Sequence, residues 1–178
     1  MTENLTQERI RATITVDAEP EAVFAVLADP ARHAAIDGTG WVREPLDPEP
    51  LSAVGQVFRM GMYADNHPQG YYEMANRVEV FDPPRAIAWQ PGQGPEQRGH
   101  LMGTTKLEFG GWIWRYDLAP AGPGRTTVTL SYDWSGVPDR FRDITFPPFD
   151  PSHLDNSLRN LARLAEARDH SLTNRPSE

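Results

Sequence analysis

The chain has no cysteine, a single lysine (Lys106) and no long apolar run. Without cysteine, disulfide bonds, thiolate catalysis and cysteine-ligated zinc are excluded. The arginines are scattered and the formal net charge is −8, so we expect no nucleic-acid partner, because nucleic acid attracts clustered basic side chains. No segment reaches the roughly 18 apolar residues of a membrane span, and residues 1–10 carry no signal-peptide pattern. These absences predict a cytoplasmic protein without membrane insertion.

Several catalytic motifs are also missing. The sequence has no H-x-x-x-H, E-x-x-H or clustered carboxylates at ligand spacing, so no metal is expected. It has no G-x-S-x-G, and no G-x-G-x-x-G follows a strand into a helix, which argues against hydrolase triads and dinucleotide-binding enzymes. We therefore expect no cofactor.

Leucine, isoleucine, valine and phenylalanine make up only 36 of the 178 residues, which lies at the edge of the composition of disordered chains, and proline and glycine are abundant with 17 and 14 residues. Five tryptophans and five tyrosines supply apolar area that offsets this tendency. The length is that of one domain. We expect a single domain over residues 1–178, ordered at about 8–170 with polar tails at 1–7 and 171–178, as a monomer or homodimer.

Hydrophobic periodicity predicts the order of the elements. Residues 9–16 alternate as a strand, and two short helices follow at 20–28 and 31–36, after which residues 43–53 are expected to be irregular. A long amphipathic helix is predicted from Ser152 to about Asp169. Between these segments alternating patterns predict six more strands, at 58–62, 72–80, 85–90, 104–109, 112–118 and 126–134.

This order favours an α+β fold in which a curved, seven-stranded antiparallel sheet wraps around the long C-terminal helix. One detail stays open. The Gly110-Gly111 pair separates two alternating runs, and it fits either a two-residue hairpin or a bulge inside one long strand.

Large aromatic side chains share one parity on the last two strands, so we expect them to point toward the helix. They either fill a core of large residues or, with methionines on neighbouring strands, line a ligand cavity. The candidate ligand-binding residues are Arg59, Met60, Met62, Tyr72, Met74, Trp112, Trp114, Tyr116, Tyr132, Trp134, Phe146, Phe149, Leu154, Leu158 and Leu161.

Candidate catalytic residues are few. His67 lies in a predicted hairpin loop, and His100 follows a glycine-rich loop. Each is either a general base at the mouth of a cavity or a solvated loop histidine. Tyr116 and Tyr132 are the candidate proton donors. The Phe-Pro-Pro-Phe segment at 146–149 is either a plug at the mouth or a stiff connector to the last helix, and we favour the connector.

Four segments together resemble the SRPBCC or START-like superfamily, which has the Bet v 1-like helix-grip fold, and in particular its bacterial polyketide cyclase/dehydrase and lipid-transport branch. The resemblance extends from Arg9 to about Arg168. The segments are ITVDAEPEAVFAVLADPARH at 14–33, FDPPRAIAW at 81–89, WRYDLAPAGPGRTTVTLSYDWSG at 114–136 and SLRNLARLA at 157–165.

The resemblance implies a helix-grip fold and a choice of functions. Some members bind lipids, hormones or polyketides, and others cyclise aromatic polyketides. The cysteine and histidine ligands of the Rieske oxygenases are absent. We expect a non-enzymatic protein that binds a small hydrophobic or aromatic molecule, lipid-like or polyketide-like, between the sheet and the last helix. The alternative is a metal-free polyketide cyclase or dehydratase that uses acid–base residues in the same cavity.

Overall fold

The computed structural model describes residues 7–173, with side chains described to residue 170. The tails expected at 1–7 and 171–178 lie largely outside these residues. Besides a short 3-10 helix (Asp139–Phe141), eight strands and three α-helices form in the described part of the chain. They are β1 (Arg9–Val16), α1 (Pro20–Leu27), α2 (Pro30–Ile36), β2 (Val42–Pro45), β3 (Val57–Tyr63), β4 (Tyr71–Asp82), β5 (Ala86–Gln93), β6 (Glu108–Phe109), β7 (Ile113–Pro120), β8 (Thr126–Asp133) and α3 (Ser152–Thr173).

The strands form one curved sheet in which every pair is antiparallel. The spatial order is β1-β8-β7-β5-β4-β3-β2, and β6 pairs with β5 beside this path. Strands consecutive in the chain lie beside one another over most of the sheet, as expected for short hairpin connections. The α+β fold with a long C-terminal helix is confirmed.

The expected count of seven strands is wrong, because the sheet has eight. The additional strand is β2, which begins before the segment predicted to be irregular and runs into it. Val42 pairs with Met62 and Pro45 pairs with Met60. Since β2 has a neighbour on one side only, the missing N–H of Pro45 removes no bond from the sheet interior. The prolines of this segment therefore led to the prediction of an irregular connection where the structure has an edge strand.

Gly110 and Gly111 do not form a hairpin turn. β6 and β7 both pair with β5, through Gly92 opposite Phe109 and Trp89 opposite Trp114, so the glycines interrupt one line of pairing. The interruption needs glycine because Gly111 has a φ of +90° and a Cβ on Gly110 would lie 2.0 Å from the Trp112 ring. Of the two alternatives, the bulge is closer to the observed backbone.

The predicted stripe of α3 is buried in the core. Leu154, Leu158, Leu161 and Ala165 are at most 1% exposed. A buried leucine contributes about 1.5 to 3 kcal/mol, so this stripe is a main attachment of α3 to the sheet. None of the helices within residues 7–173 combines the length and apolar character needed to cross a membrane.

Capping residues fix where the helices begin. Oδ1 of Asp150 accepts a hydrogen bond of 2.9 Å from the backbone N–H of Ser152, at the start of α3. This hydrogen bond, together with one from the Ser152 side chain, lowers the pKa of Asp150. Asp29 accepts in the same way from the N–H of Ala31, at 3.0 Å, where α2 begins. The caps place α2 and α3 so that they meet over the concave face of the sheet.

Candidate functional site

A cavity of about 530 Å³ lies between the concave face of the sheet and the helices α2 and α3. Its walls come from β3, β4, β5, β7 and β8, from both helices and from the segment that precedes α3. The volume falls in the range of small-molecule sites. The sheet can enclose such a space because α3 spans it with one narrow stripe of leucines and leaves part of the concave face uncovered.

Most of the residues singled out from the sequence lie on this cavity. Alternation along each strand turns their side chains to the same face of the sheet. The predicted residues that line it are Met60, Met62, His67, Tyr72, Met74, Trp112, Trp114, Tyr116, Tyr132, Phe146 and Phe149.

Six predicted residues are not among those that line the cavity: Arg59, His100, Trp134, Leu154, Leu158 and Leu161. Arg59 has the opposite parity to Met60, and its Nη2 lies 2.9 Å from Oδ1 of Asp47. The three leucines are buried in the core under α3. Trp134 packs into a neighbouring cluster with Phe141. Nε2 of His100 lies 2.9 Å from the hydroxyl of Thr104.

His67 lines the cavity, but the backbone occupies both of its ring nitrogens. Nδ1 accepts a hydrogen bond from the N–H of Gln69 at 3.1 Å. Nε2 donates to the carbonyl of Gly99 at 3.1 Å. The ring also stacks on Tyr72, with centroids 4.6 Å apart. These contacts hold the ring as a wall and leave it no free nitrogen for proton transfer.

The Phe146–Phe149 segment combines both interpretations considered for it. Phe149 packs against Trp114 and Tyr132, with ring centroids 5.4 and 5.0 Å apart. Phe146 lies 5.8 Å from the ring of Trp112. The segment connects β8 to α3 and at the same time closes one side of the cavity with aromatic rings.

Sequence reasoning missed His33, which lies on α2 and lines the cavity. Its Nε2 lies 2.8 Å from the carbonyl oxygen of Leu27. The ring stacks on Trp89 at 4.9 Å and meets Phe58 edge-on at 5.6 Å. Burial lowers the pKa of His33, although the hydrogen bond to Leu27 opposes that effect. The usable signal was the spacing of His33 and Ile36, which places both on one face of a helix.

A second missed group joins the end of α2 to the start of α3. Nε2 of His153 lies 3.7 Å from Oδ1 of Asp37, and its Nδ1 lies 3.4 Å from the hydroxyl of Ser157. The Ser157 hydroxyl also accepts a 3.0 Å hydrogen bond from the N–H of Gly38. Burial lowers the pKa of His153, and the nearby Asp37 carboxylate opposes that shift.

The carboxylate of Asp37 is held by three neighbouring donors. Oδ1 accepts from the N–H of Thr39 at 3.2 Å, and Oδ2 accepts from the Thr39 hydroxyl at 2.8 Å and from the N–H of Val42 at 3.0 Å. Its side chain is only 7% exposed. The cavity therefore has one fixed, buried negative group at the junction of α2 and α3.

Three tyrosines, Tyr72, Tyr116 and Tyr132, line the same space. Burial raises the pKa of Tyr72 to about 12 and also raises the pKa of Tyr116 and of Tyr132, so all three are neutral near pH 7. The charge of Asp37 adds to the shifts of Tyr72 and Tyr116. These hydroxyls can donate or accept a hydrogen bond.

The rim of the cavity carries both exposed apolar side chains and an ion pair. Leu101 and Ile144 are 61% and 49% exposed and line its opening. Nη2 of Arg140 lies 3.0 Å from Oε2 of Glu108, which links the rim to β6. Within residues 7–173 no three histidine or acidic side chains are grouped closely enough to hold a metal ion.

Solved structures share this fold at low sequence identity. A Chromobacterium violaceum protein is 22% identical, with a TM-score of 0.61 over 89% of this chain and 97% of that chain. The major latex-like protein 151 of Panax ginseng is 16% identical, with a TM-score of 0.53 over 90% of this chain and 96% of its own. At such identities the likeness is one of fold.

Curated relatives carry little functional information. An uncharacterized protein of Mycobacterium tuberculosis is 27% identical over 126 residues, which are 71% of this chain and 47% of that protein. The chain thus spans about half the length of the curated relatives it matches. A family model described as polyketide cyclase / dehydrase and lipid transport matches residues 7–166, and the chain belongs to that family.

Proposed function

We propose that this protein binds a small hydrophobic or aromatic molecule in the cavity between the sheet and α3. The observation that carries the proposal is a cavity of about 530 Å³ whose lining includes fifteen tryptophan, tyrosine, phenylalanine and methionine side chains. Ligand pockets of proteins have this size and are lined mostly by hydrophobic and aromatic side chains.

The aromatic contacts support a site for a flat ligand. Trp89 and Trp114 lie on adjacent strands in directly paired positions, so their rings border one stretch of the wall. Offset stacking on such rings contributes about 0.5 to 1.5 kcal/mol beyond burial. Met60, Met62 and Met74 line the neighbouring strands, and their unbranched side chains adapt to ligands of different outline.

The expected affinity is modest. Burying roughly 300 Å² of apolar ligand surface yields around 7 kcal/mol before the costs of association are subtracted. The net value corresponds to micromolar binding at best, unless polar contacts add to it.

Two measurements test the proposal. Native mass spectrometry of the freshly purified protein should detect a co-purifying small molecule that is lost on denaturation. Titration with the neutral dye N-phenyl-α-naphthylamine should give saturable fluorescence enhancement at one site. If neither a retained molecule nor saturable dye binding is observed, the proposal is wrong.

The acid–base alternative is favoured by one observation, the presence of His33, Asp37 and His153 on the same cavity. A cyclase or dehydratase needs a base and an acid within reach of one substrate. The neutral histidines would serve as bases, and Tyr116 or Tyr132 as proton donor. The test is cyclisation of an aromatic β-keto thioester, followed by absorbance. A rate in the wild type that is lost in His153→Phe supports catalysis, and equal rates oppose it.

A further inference from the structure

We propose that the cavity selects uncharged ligands that carry a hydroxyl group, and that Nδ1 of His33 accepts the hydrogen bond from that hydroxyl. His33 then determines specificity. This inference rests on the proposed binding function and deepens it, because it states the ligand chemistry that the cavity discriminates.

The tautomer of His33 follows from its hydrogen bond. Nε2 lies 2.8 Å from the carbonyl oxygen of Leu27, and a carbonyl oxygen can only accept. Nε2 therefore carries the proton. In a neutral ring Nδ1 then has a lone pair and no proton, so it acts only as an acceptor. The ligand must therefore supply the group that donates the hydrogen bond to Nδ1.

The ring is neutral near pH 7 because of its surroundings. His33 is 7% exposed and lies between the rings of Trp89 and Phe58. Burial among these groups lowers the pKa of His33. Asp29 favours the charged form but has a smaller influence than burial.

Nδ1 of His33 has no hydrogen-bond partner in the described part of the chain, and it is not sealed inside the protein. If Nδ1 were both unpaired and inaccessible, it would be a buried polar atom without a hydrogen bond. Among the described side chains the one such atom is Oε2 of Glu108, which has Arg140 beside it. Nδ1 is therefore accessible, and the residue that carries it lines the cavity. An acceptor placed in this way is satisfied by a ligand hydroxyl or by water.

The charges in the cavity oppose an anionic ligand. Arg140 is the one arginine among the described residues that line the cavity, and it lies at the rim beside Glu108. The buried formal charge is the carboxylate of Asp37. A ligand carboxylate would therefore lose its hydration without gaining a cationic partner, and Asp37 would repel it. A neutral hydroxyl avoids both costs.

Three probes of one shape test the inference: naphthalene, β-naphthol and β-naphthoate, each measured by displacement of N-phenyl-α-naphthylamine at neutral pH. We expect β-naphthol to bind roughly three- to tenfold more tightly than naphthalene, the effect of one net hydrogen bond. β-Naphthoate should bind most weakly.

His33→Phe keeps a ring in place and removes the acceptor. This variant should bind naphthalene and β-naphthol equally. His67→Phe is the matched control, because His67 also lines the cavity but has both nitrogens bonded to the backbone. It should retain the preference for β-naphthol.

A second measurement uses the wild-type protein and remains available if His33→Phe does not fold. Nitrogen NMR of histidine-labelled protein should show an unprotonated Nδ1 on His33 whose resonance moves on addition of β-naphthol and not of naphthalene. A protonated Nδ1 or no specific movement would overturn the assignment.

The outcomes separate the two proposals. If no probe displaces the dye and the dye itself does not bind, the proposed binding function fails. If all three probes bind equally, or β-naphthoate binds best, ligand binding stands and the inference on specificity is wrong. An undiminished preference in a folded His33→Phe variant also overturns the role of His33.

Discussion

Nε2 of His153, in the first turn of α3, lies 3.7 Å from Oδ1 of Asp37, which directly follows α2. One turn further along α3, the Ser157 hydroxyl accepts the N–H of Gly38. A Cβ on Gly38 would lie 2.6 Å from the carbonyl oxygen of His153, so the two chains approach closely here. These contacts hold α2 and α3 together at the polar end of the cavity.

Asp37→Ala should lower the free energy of unfolding by about 2 to 4 kcal/mol, because the N–H groups of Thr39 and Val42 lose a charged acceptor. Urea unfolding followed by tryptophan fluorescence measures the change. Asp143→Ala is the control, since Asp143 is exposed at the rim, and it should change stability by less than about 0.5 kcal/mol. Equal effects of the two variants would contradict the structural role of Asp37.

Ser157→Ala should cost about 1 to 2 kcal/mol of stability, because the backbone N–H of Gly38 loses its acceptor. The matched control is Ser152→Ala at the exposed beginning of the same helix, where the hydroxyl bonds to the exposed carboxylate of Asp150 and not to a backbone N–H of another element. The two substitutions change intrinsic helix propensity in the same direction, so their difference isolates the Gly38 contact. The prediction fails if chemical denaturation gives the same midpoint for both variants.

Stability should fall as the solution is acidified from about pH 7 to about pH 5.5. The pKa values of His33 and His153 are lowered in the folded state, whereas the unfolded chain keeps the ordinary value of 6.5. Below that value the unfolded state binds more protons, and the free energy of unfolding decreases by about 1 to 2 kcal/mol for the two histidines together. His33→Phe should reduce this dependence. A free energy that is constant over the interval would refute the prediction.

Trp114→Leu should weaken binding of N-phenyl-α-naphthylamine by roughly tenfold, because it removes stacking area from the cavity wall. The comparison is Trp134→Leu directly after β8, whose ring is not among those that line the cavity and packs behind Tyr132 and Phe146. Both variants lose a packed aromatic ring and should be destabilised. Only Trp114→Leu should lose dye affinity when both are measured below their unfolding temperatures. Similar losses of dye affinity would indicate a general loosening of the core instead.

Strand and helix periodicity carried most of the fold prediction. Alternation in residues 126–134 and 112–118 identified β8, β7 and their inward faces, since side chains on a strand point to opposite sides in turn. β2 was missed because its short length and Pro45 resemble a connector. The pairing that makes it a strand comes from β3, which lies beyond it in the chain.

The sequence by itself determined which faces are apolar, and therefore that aromatic and methionine side chains on several strands turn toward α3. The tertiary structure decided which polar groups meet there. Asp37 and His153 are distant along the chain, one directly after α2 and the other in α3, and His33 reaches the cavity only because α2 packs over the sheet. Local periodicity reports the direction of a side chain relative to its own element, whereas a site depends on the distances between elements, which packing and burial set.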